Sequence, residues 1–139
     1  MDKIKLLVVD DQEHFSLPFK GWLFSTREFD VETIEYGGDT LSKMEEFKPD
    51  IVVLDLDLRK DAAIGDHKRS DGEVVANMLR AQHPEFDRVP FLILTQWKDV
   101  AEAEALTARD EGRGIFWMAK GDLELRRLAF IANIFFRWR

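Results

Sequence analysis

Short apolar segments alternate five times with segments of helical spacing along this chain, and this alternation restricts the fold more than any other feature. Short apolar runs are typical of buried strands, whereas apolar residues three or four positions apart are typical of helices. The predicted strands are residues 6–9, 31–36, 51–54, 91–94 and 115–119. The predicted helices are residues 15–26, 40–47, 73–82 and 100–109, with a last one that begins at Asp122. Repeated strand and helix units favour an α/β fold whose parallel sheet is covered by helices on both faces.

The length and composition indicate one folded domain. The chain has 139 residues, of which 45% are hydrophobic and 34% charged, and this balance is typical of a globular protein. The sequence contains no cysteine, which excludes disulfides, thiolate metal sites and cysteine nucleophiles. We therefore predict a single domain over residues 1–139.

Net charge and hydropathy limit the partners and the compartment. With 20 basic and 27 acidic residues the net charge is −7, whereas a nucleic-acid-binding domain is expected to concentrate positive charge. The apolar run near the N-terminus is too short for a signal peptide or a membrane span. We predict a cytoplasmic protein that binds neither nucleic acid directly nor a membrane.

Polar residues that can carry chemistry follow four of the five predicted strands. They are Asp10 and Asp11 after the first strand, Asp55 after the third, Thr95 after the fourth and Lys120 after the fifth. Ligands of open parallel sheets bind beyond the carboxyl ends of the strands, so these side chains are expected to meet there. Clustered carboxylates repel one another unless they hold a cation, and all-oxygen ligation suits Mg²⁺ or Mn²⁺. Each acid could instead only cap the helix after its strand, but their coincidence at four strand ends favours a shared site.

Four motifs in order along the chain resemble the receiver domain of two-component response regulators, the CheY-like family. The motifs are VVDDQ, VVLDLDL, ILTQ and MAKGD, and the resemblance spans essentially the whole chain. It implies a flavodoxin-like (βα)5 fold with a central five-stranded parallel sheet in the order 2-1-3-4-5. It also implies that Asp55 is the phosphoacceptor and a ligand of Mg²⁺ or Mn²⁺. Asp11 would be a direct ligand, Asp10 would hold metal-bound water, and the backbone carbonyl of Asp57 would be a further ligand.

The same resemblance implies how the site would work. The phosphoryl group would come from a phosphohistidine of a sensor histidine kinase or of a phosphotransfer protein. The Thr95 hydroxyl and the Lys120 ammonium would then bind the new phosphoryl oxygens. In the family an aromatic residue couples to the inward movement of the loop after the fourth strand, which this binding produces. Trp117 takes its position, although it could equally be a tryptophan packed at the edge of the last strand. We expect a phosphoacceptor that assists its own phosphorylation and dephosphorylation and is not a turnover enzyme.

Several positions depart from the family pattern. Lys120 is followed by Gly121 where the family has a proline in a cis bond, and residues 58–70 form a charged insertion beside the site. The insertion is either a solvated loop or a docking element or lid. Gln96 stands where the family commonly has a small residue beside the phosphoryl group, and Trp97 and Asp57 take positions that vary with dephosphorylation rate in the family. Our hypothesis is a shielded and slowly hydrolysed phosphoaspartate.

The last predicted helix is apolar on both sides. One side is expected to pack on the sheet, with Leu125, Leu128, Ile131, Ala132 and Phe135. The other carries Leu123, Phe130, Ile134 and Trp138. The family dimerises or signals through the face formed by the fourth helix, fifth strand and fifth helix. We therefore predict a homodimer or a protein partner on this second side, the alternative being scattered exposed apolar groups at a terminus.

Three functions are compatible with these motifs. The preferred one is a stand-alone phosphoacceptor receiver without an output domain. The second is a receiver-like protein-interaction module that works without phosphorylation, which Lys120-Gly121 and the long insertion favour. The third is a haloacid-dehalogenase-type phosphohydrolase that uses Asp55 and Asp57. Its motif continues with threonine or valine where Arg59 stands here, which makes it the least favoured.

Overall fold

The computed structural model of the chain describes residues 3–10, 29–55, 71–95, 100–119 and 134. The strands are β1 (Ile4–Asp10), β2 (Phe29–Glu35), β3 (Ile51–Asp55), β4 (Phe91–Thr95) and β5 (Ile115–Ala119). The helices are α1 (Thr40–Phe47), α2 (Asp71–Gln82) and α3 (Val100–Asp110), with 3₁₀ turns at Pro84–Arg88 and Glu111–Arg113.

The five strands form one parallel sheet in the order β2-β1-β3-β4-β5, as predicted. All five predicted strands and the three middle predicted helices are confirmed within a few residues. The helix predicted at residues 15–26 and the insertion at 58–70 lie outside the described residues, as does the last predicted helix except for Ile134. β2 begins at Phe29, two positions earlier than predicted, because its buried ring continues the alternation of the strand and pairs with Ile4.

Two buried apolar clusters lie on opposite faces of the sheet, because successive side chains of a strand point to opposite sides. One cluster receives residues from all three described helices, including Met44 of α1, Val75 of α2 and Ala103 of α3. The other contains Leu6 of β1 and Ile134. β1 and β3 are apolar on both faces because the strand order places them inside the sheet.

Local interactions fix where the elements begin and end. The Gly37 N–H donates to the Thr40 hydroxyl at 3.0 Å, at the start of α1. Lys48 ends α1 in the left-handed region, with φ 54°. The Lys5 N–H donates to the Asp50 carboxylate and the Asp50 N–H to the Lys5 carbonyl, each at 2.8 Å, which joins the start of β3 to β1. None of the helices in these described stretches is long and apolar enough to cross a membrane.

Arg80 of α2 joins several segments at the amino edge of the sheet. Its guanidinium lies 4.9 Å from the centre of the Phe91 ring and donates to the carbonyls of Val89, Arg113 and Gly114. These carbonyls belong to the turns that lead into β4 and β5, and the left-handed Gly114 (φ 73°) accepts from the Phe91 N–H. Arg80 therefore joins α2 to the segments that lead into β4 and β5, at the end of the sheet opposite the predicted site.

A glycine allows α2 to approach the sheet closely. A Cβ atom at Gly72 would lie 2.6 Å from Cγ2 of Ile93, far inside van der Waals contact. Ile93 lies in the middle of β4 and is 1% exposed, so it has no free space to enter. The start of α2 therefore packs against β4 at a distance that requires glycine.

Candidate functional site

Two predicted site carboxylates lie side by side at the carboxyl edge of the sheet. Asp10 is the last residue of β1, Asp55 is the last residue of β3, and the two are register partners. Partners in adjacent parallel strands point to the same face. Asp10 is only 1% exposed and Asp55 only 3% exposed. The structure thus brings together the two acids that the sequence placed at the ends of the first and third strands.

The position of Asp10 follows from the strands around it. β1 is buried from Leu6 onward, so its chain remains in the sheet until the polar residue at its end. Beyond the end of β2, the Tyr36 N–H still donates to the Asp10 carbonyl at 2.6 Å. The backbone that carries the carboxylate is therefore held between β2 and β3.

The remaining predicted site residues are only partly described. Thr95 is the last residue of β4 and pairs with Ala119, the residue before Lys120. The ends of β4 and β5, where the Thr95 hydroxyl and the Lys120 ammonium are predicted, are thus adjacent at the same edge as Asp10 and Asp55. The predicted residues outside the described part of the chain are Asp11, Asp57, Gln96, Trp97, Lys120, Leu123, Phe130 and Trp138.

The chemistry of the described carboxylates fits a hard divalent cation. Two buried acids on neighbouring strands supply oxygen ligands, and a cation would offset the cost of keeping both charges out of water. Within the described stretches alone, no group of three or more His, Cys, Asp or Glu side chains could hold a metal ion. A complete site therefore depends on further ligands, and the two predicted ones, Asp11 and Asp57, lie outside those stretches.

Trp117 in the middle of β5 is buried and hydrogen-bonded. Its residue is 3% exposed and belongs to the apolar cluster under the three helices. The indole Nε1–H donates to Oδ2 of Asp110, at the end of α3, at 2.9 Å. Trp117 is thus packed in the core, and its switching role stays a prediction.

A charge cluster surrounds the acceptor of this bond. Arg109 binds both carboxylate oxygens of Asp110, with Nε at 2.8 Å from Oδ1 and a terminal nitrogen at 2.7 Å from Oδ2. Arg113 lies 3.5 Å from Oδ1, and Glu73 of α2 lies 3.6 Å from Arg109. Burial alone would raise the pKa of Asp110, but the hydrogen bonds from Arg109 and Trp117 and the two arginine charges lower it overall. Asp110 is therefore held ionised where it receives the indole.

Thr107 and Asp110 were not predicted from the sequence as site residues. The Thr107 hydroxyl accepts from the Trp117 N–H at 2.8 Å and donates to the Trp117 carbonyl at 3.3 Å. Thr107 and Asp110 are three positions apart on α3 and so share one face of the helix. This spacing shows that they point the same way, but it does not reveal that β5 is what they face.

One residue of the predicted partner side lies elsewhere. Ile134 is 2% exposed and belongs to the same buried cluster as Phe116 and Met118 of β5. The prediction that Ile134 forms part of an exposed docking side is therefore wrong. Burying an isoleucine side chain against the sheet stabilises the folded protein more than leaving that side chain exposed to water.

No protein-family model and no curated protein sequence matches this chain. Solved structures do. A LuxR-family two-component response regulator from Aurantimonas sp. SI85-9A1 superposes with a TM-score of 0.68 at 20% identity, over 98% of this chain and 87% of that one. Chemotaxis protein CheY4 of Vibrio cholerae superposes with a TM-score of 0.66 at 19% identity, over 96% of this chain and 99% of that one. The receiver domain of nitrogen regulatory protein C superposes with a TM-score of 0.65 at 19% identity, over 99% of this chain and 98% of that one. Similarity at this identity establishes a common fold.

Proposed function

We propose that this chain, which has the fold of response regulator receiver domains, accepts a phosphoryl group on Asp55 in two-component signal transduction. The donor would be a phosphohistidine of a sensor histidine kinase or of a histidine phosphotransfer protein. One observation carries the proposal: Asp55 is a buried carboxylate at the carboxyl end of β3, beside the buried Asp10, where ligands of this kind of sheet bind.

The proposed transfer is a displacement at phosphorus. A carboxylate oxygen of Asp55 forms the new bond to phosphorus as the bond between phosphorus and the donor imidazole nitrogen breaks, and that nitrogen keeps the electron pair. Mg²⁺ or Mn²⁺, when bound, would offset the repulsion between Asp55 and the incoming phosphoryl oxygens. Asp10, Asp11, Asp55 and the backbone carbonyl of Asp57 would hold it.

The residues of the last two strands would read out the modification. In this proposal the Thr95 hydroxyl and the Lys120 ammonium bind the phosphoryl oxygens, since charge-assisted hydrogen bonds of this kind are strong. Thr95 ends β4 and Lys120 follows β5, and the ends of these two strands are adjacent in the sheet. The change would pass to a protein partner or a second copy through α3, β5 and the helix after them. The protein is then a signalling phosphoacceptor and not a turnover enzyme.

The first test is the intact mass of the protein after incubation with Mg²⁺ and acetyl phosphate. We expect one added phosphoryl group in the unmodified protein and none in Asp55→Ala, because no other carboxylate would replace the acceptor. The matched control is Asp30→Ala, which removes an exposed carboxylate of β2 and should leave the modification intact. An unmodified mass without phosphate release would contradict the proposal, and multiple-turnover release would favour the hydrolase.

Metal binding gives an independent prediction on stability. A ligand that binds only the folded state raises the free energy of unfolding, by about 2.7 kcal/mol at a concentration of about 100 times Kd. Mg²⁺ should therefore raise the melting temperature relative to NaCl at the same ionic strength. Asp11→Asn should remove most of this increase, because it exchanges a charged ligand for a neutral one. An undiminished increase in the variant would exclude Asp11 as a ligand.

One observation favours the phosphorylation-independent interaction module as the second candidate. Trp117 is buried and its indole is bonded to Asp110, so the ring is held by a contact that does not involve Asp55. A chain of this second type would show no added mass with acetyl phosphate, yet would still bind its partner.

A further inference from the structure

Two residues at the end of α3 form hydrogen bonds with Trp117. Thr107 binds its backbone N–H and carbonyl, and Asp110 binds its indole nitrogen. Trp117 pairs with Ile93 of β4, two positions before the pair of Thr95 and Ala119 at the carboxyl edge. Ring and strand are therefore both tied to the same helix, close to the edge that carries Asp10 and Asp55.

The hydrogen bond from the Trp117 indole to Asp110 is shielded from water. Asp110 is 3% exposed and Trp117 is 3% exposed, so the donor and the acceptor both lie out of solvent. Arg109 and Arg113 bind the same carboxylate, which keeps it oriented toward the indole. Outward rotation of the ring would leave a buried carboxylate with one partner fewer and open a cavity in the cluster under α3.

We propose that Asp110 is a positioning residue that latches the Trp117 indole in the core, so that the ring keeps one conformation whatever the state of Asp55. The inference rests on the proposed function where it concerns phosphorylation. It makes α3 and β5 a single unit, and a signal from the site then reaches a partner by movement of this unit as a whole. Rotation of the tryptophan is not the switch.

The test is the indole N–H signal of Trp117 in nuclear magnetic resonance of the full chain labelled with ¹⁵N. Trp117→Phe identifies the signal among those of the four tryptophans. We expect one signal with slow hydrogen exchange, and exchange that remains as slow after Mg²⁺ and acetyl phosphate. The intact mass of the same sample shows whether Asp55 was modified. Loss of this slow exchange in a sample whose mass shows phosphorylation would overturn the latch.

Variants of the cluster separate a latch from general packing. Asp110→Leu removes the acceptor at similar volume and should speed exchange of the indole N–H about tenfold or more. Asp110→Asn retains an oxygen acceptor and should keep most of the protection, which also covers the case in which the leucine variant does not fold. Glu73→Gln is the matched control, because it changes the charge beside Arg109 and leaves Asp110 in place to accept from the indole.

The two proposals fail in different ways. If the intact mass shows no added phosphoryl group, the proposed function fails. The samples without phosphodonor then decide whether the latch exists. In those samples, fast exchange in the unmodified protein, or equal protection in Asp110→Leu, would overturn it. Slow exchange that is lost in Asp110→Leu and kept in Asp110→Asn and Glu73→Gln would support it.

Discussion

Asp110→Ala is expected to lower the free energy of unfolding by about 3 kcal/mol at neutral pH. The variant leaves the buried Trp117 Nε1–H without its acceptor, which costs about 1–3 kcal/mol. It also removes the bidentate pair with Arg109, whose side chain is 56% exposed, so solvent screening limits that contribution to about 1 kcal/mol or less. Asp110→Asn keeps an acceptor and should cost less. Urea unfolding monitored by circular dichroism measures all three proteins.

The pH dependence of this difference identifies the charge. The pKa of Asp110 is lowered from 3.8 in the folded protein, despite the opposing effect of burial, by its hydrogen bonds to Arg109 and Trp117 and by nearby arginine charges. A carboxylate with a lowered pKa stabilises the folded state above the unfolded value, and this stabilisation is lost as pH falls through the folded value. The difference between the protein and Asp110→Ala should thus be constant near neutrality and shrink below 3.8.

The exposed Asp30 provides the control for this series. Asp30→Ala should change the free energy of unfolding by no more than about 0.5 kcal/mol, as is usual for surface positions. If Asp110→Ala were as stable as the unmodified protein at neutral pH, the cluster at the end of α3 would contribute nothing to folding.

Gly72→Ala is expected to cost about 2 kcal/mol of unfolding free energy. The added methyl would lie 2.6 Å from Ile93 Cγ2, and Ile93 is enclosed in the middle of β4. Overpacking of this kind costs about 1–3 kcal/mol, which exceeds what alanine gains over glycine near the start of a helix. Denaturant unfolding measures the loss directly.

Two further variants isolate the clash. Gly112→Ala is the control, because nothing lies within 4 Å of a Cβ at that position, and it should shift stability by no more than about 0.5 kcal/mol. Ile93→Ala removes the methyl group that the new Cβ would meet. The double variant with Gly72→Ala should therefore lose less than the sum of the single losses, by about 0.5 kcal/mol or more. Additive losses would show that the two positions do not touch.

Periodicity and strand ends were enough to predict much of the fold and the two described acids. β3 and β4 are unbroken apolar runs between breakers, so their position follows from the sequence alone. Asp10 and Asp55 were predicted together because parallel strands of one sheet end at the same edge. Neither inference required knowledge of how any helix packs.

The features that escaped prediction all depend on tertiary packing. The bond from Trp117 to Asp110 joins a helix end to a neighbouring strand, and no local pattern states which strand that helix faces. Ile134 lies in a stretch with apolar residues on both sides, where periodicity cannot decide which side meets the sheet. The close approach of Gly72 to Ile93 likewise exists only once α2 lies on β4.

The hydroxyl of Thr107 has a consequence for how copies of this chain meet one another. Among the described strands β5 is the outermost on its side of the sheet, and an outermost strand normally offers main-chain groups on which a foreign strand can continue the ladder. At Trp117, in the middle of β5, both of these groups are already bound to Thr107. A foreign strand would therefore find both main-chain groups of Trp117 already bonded, which disfavours continuation of the ladder across the middle of β5.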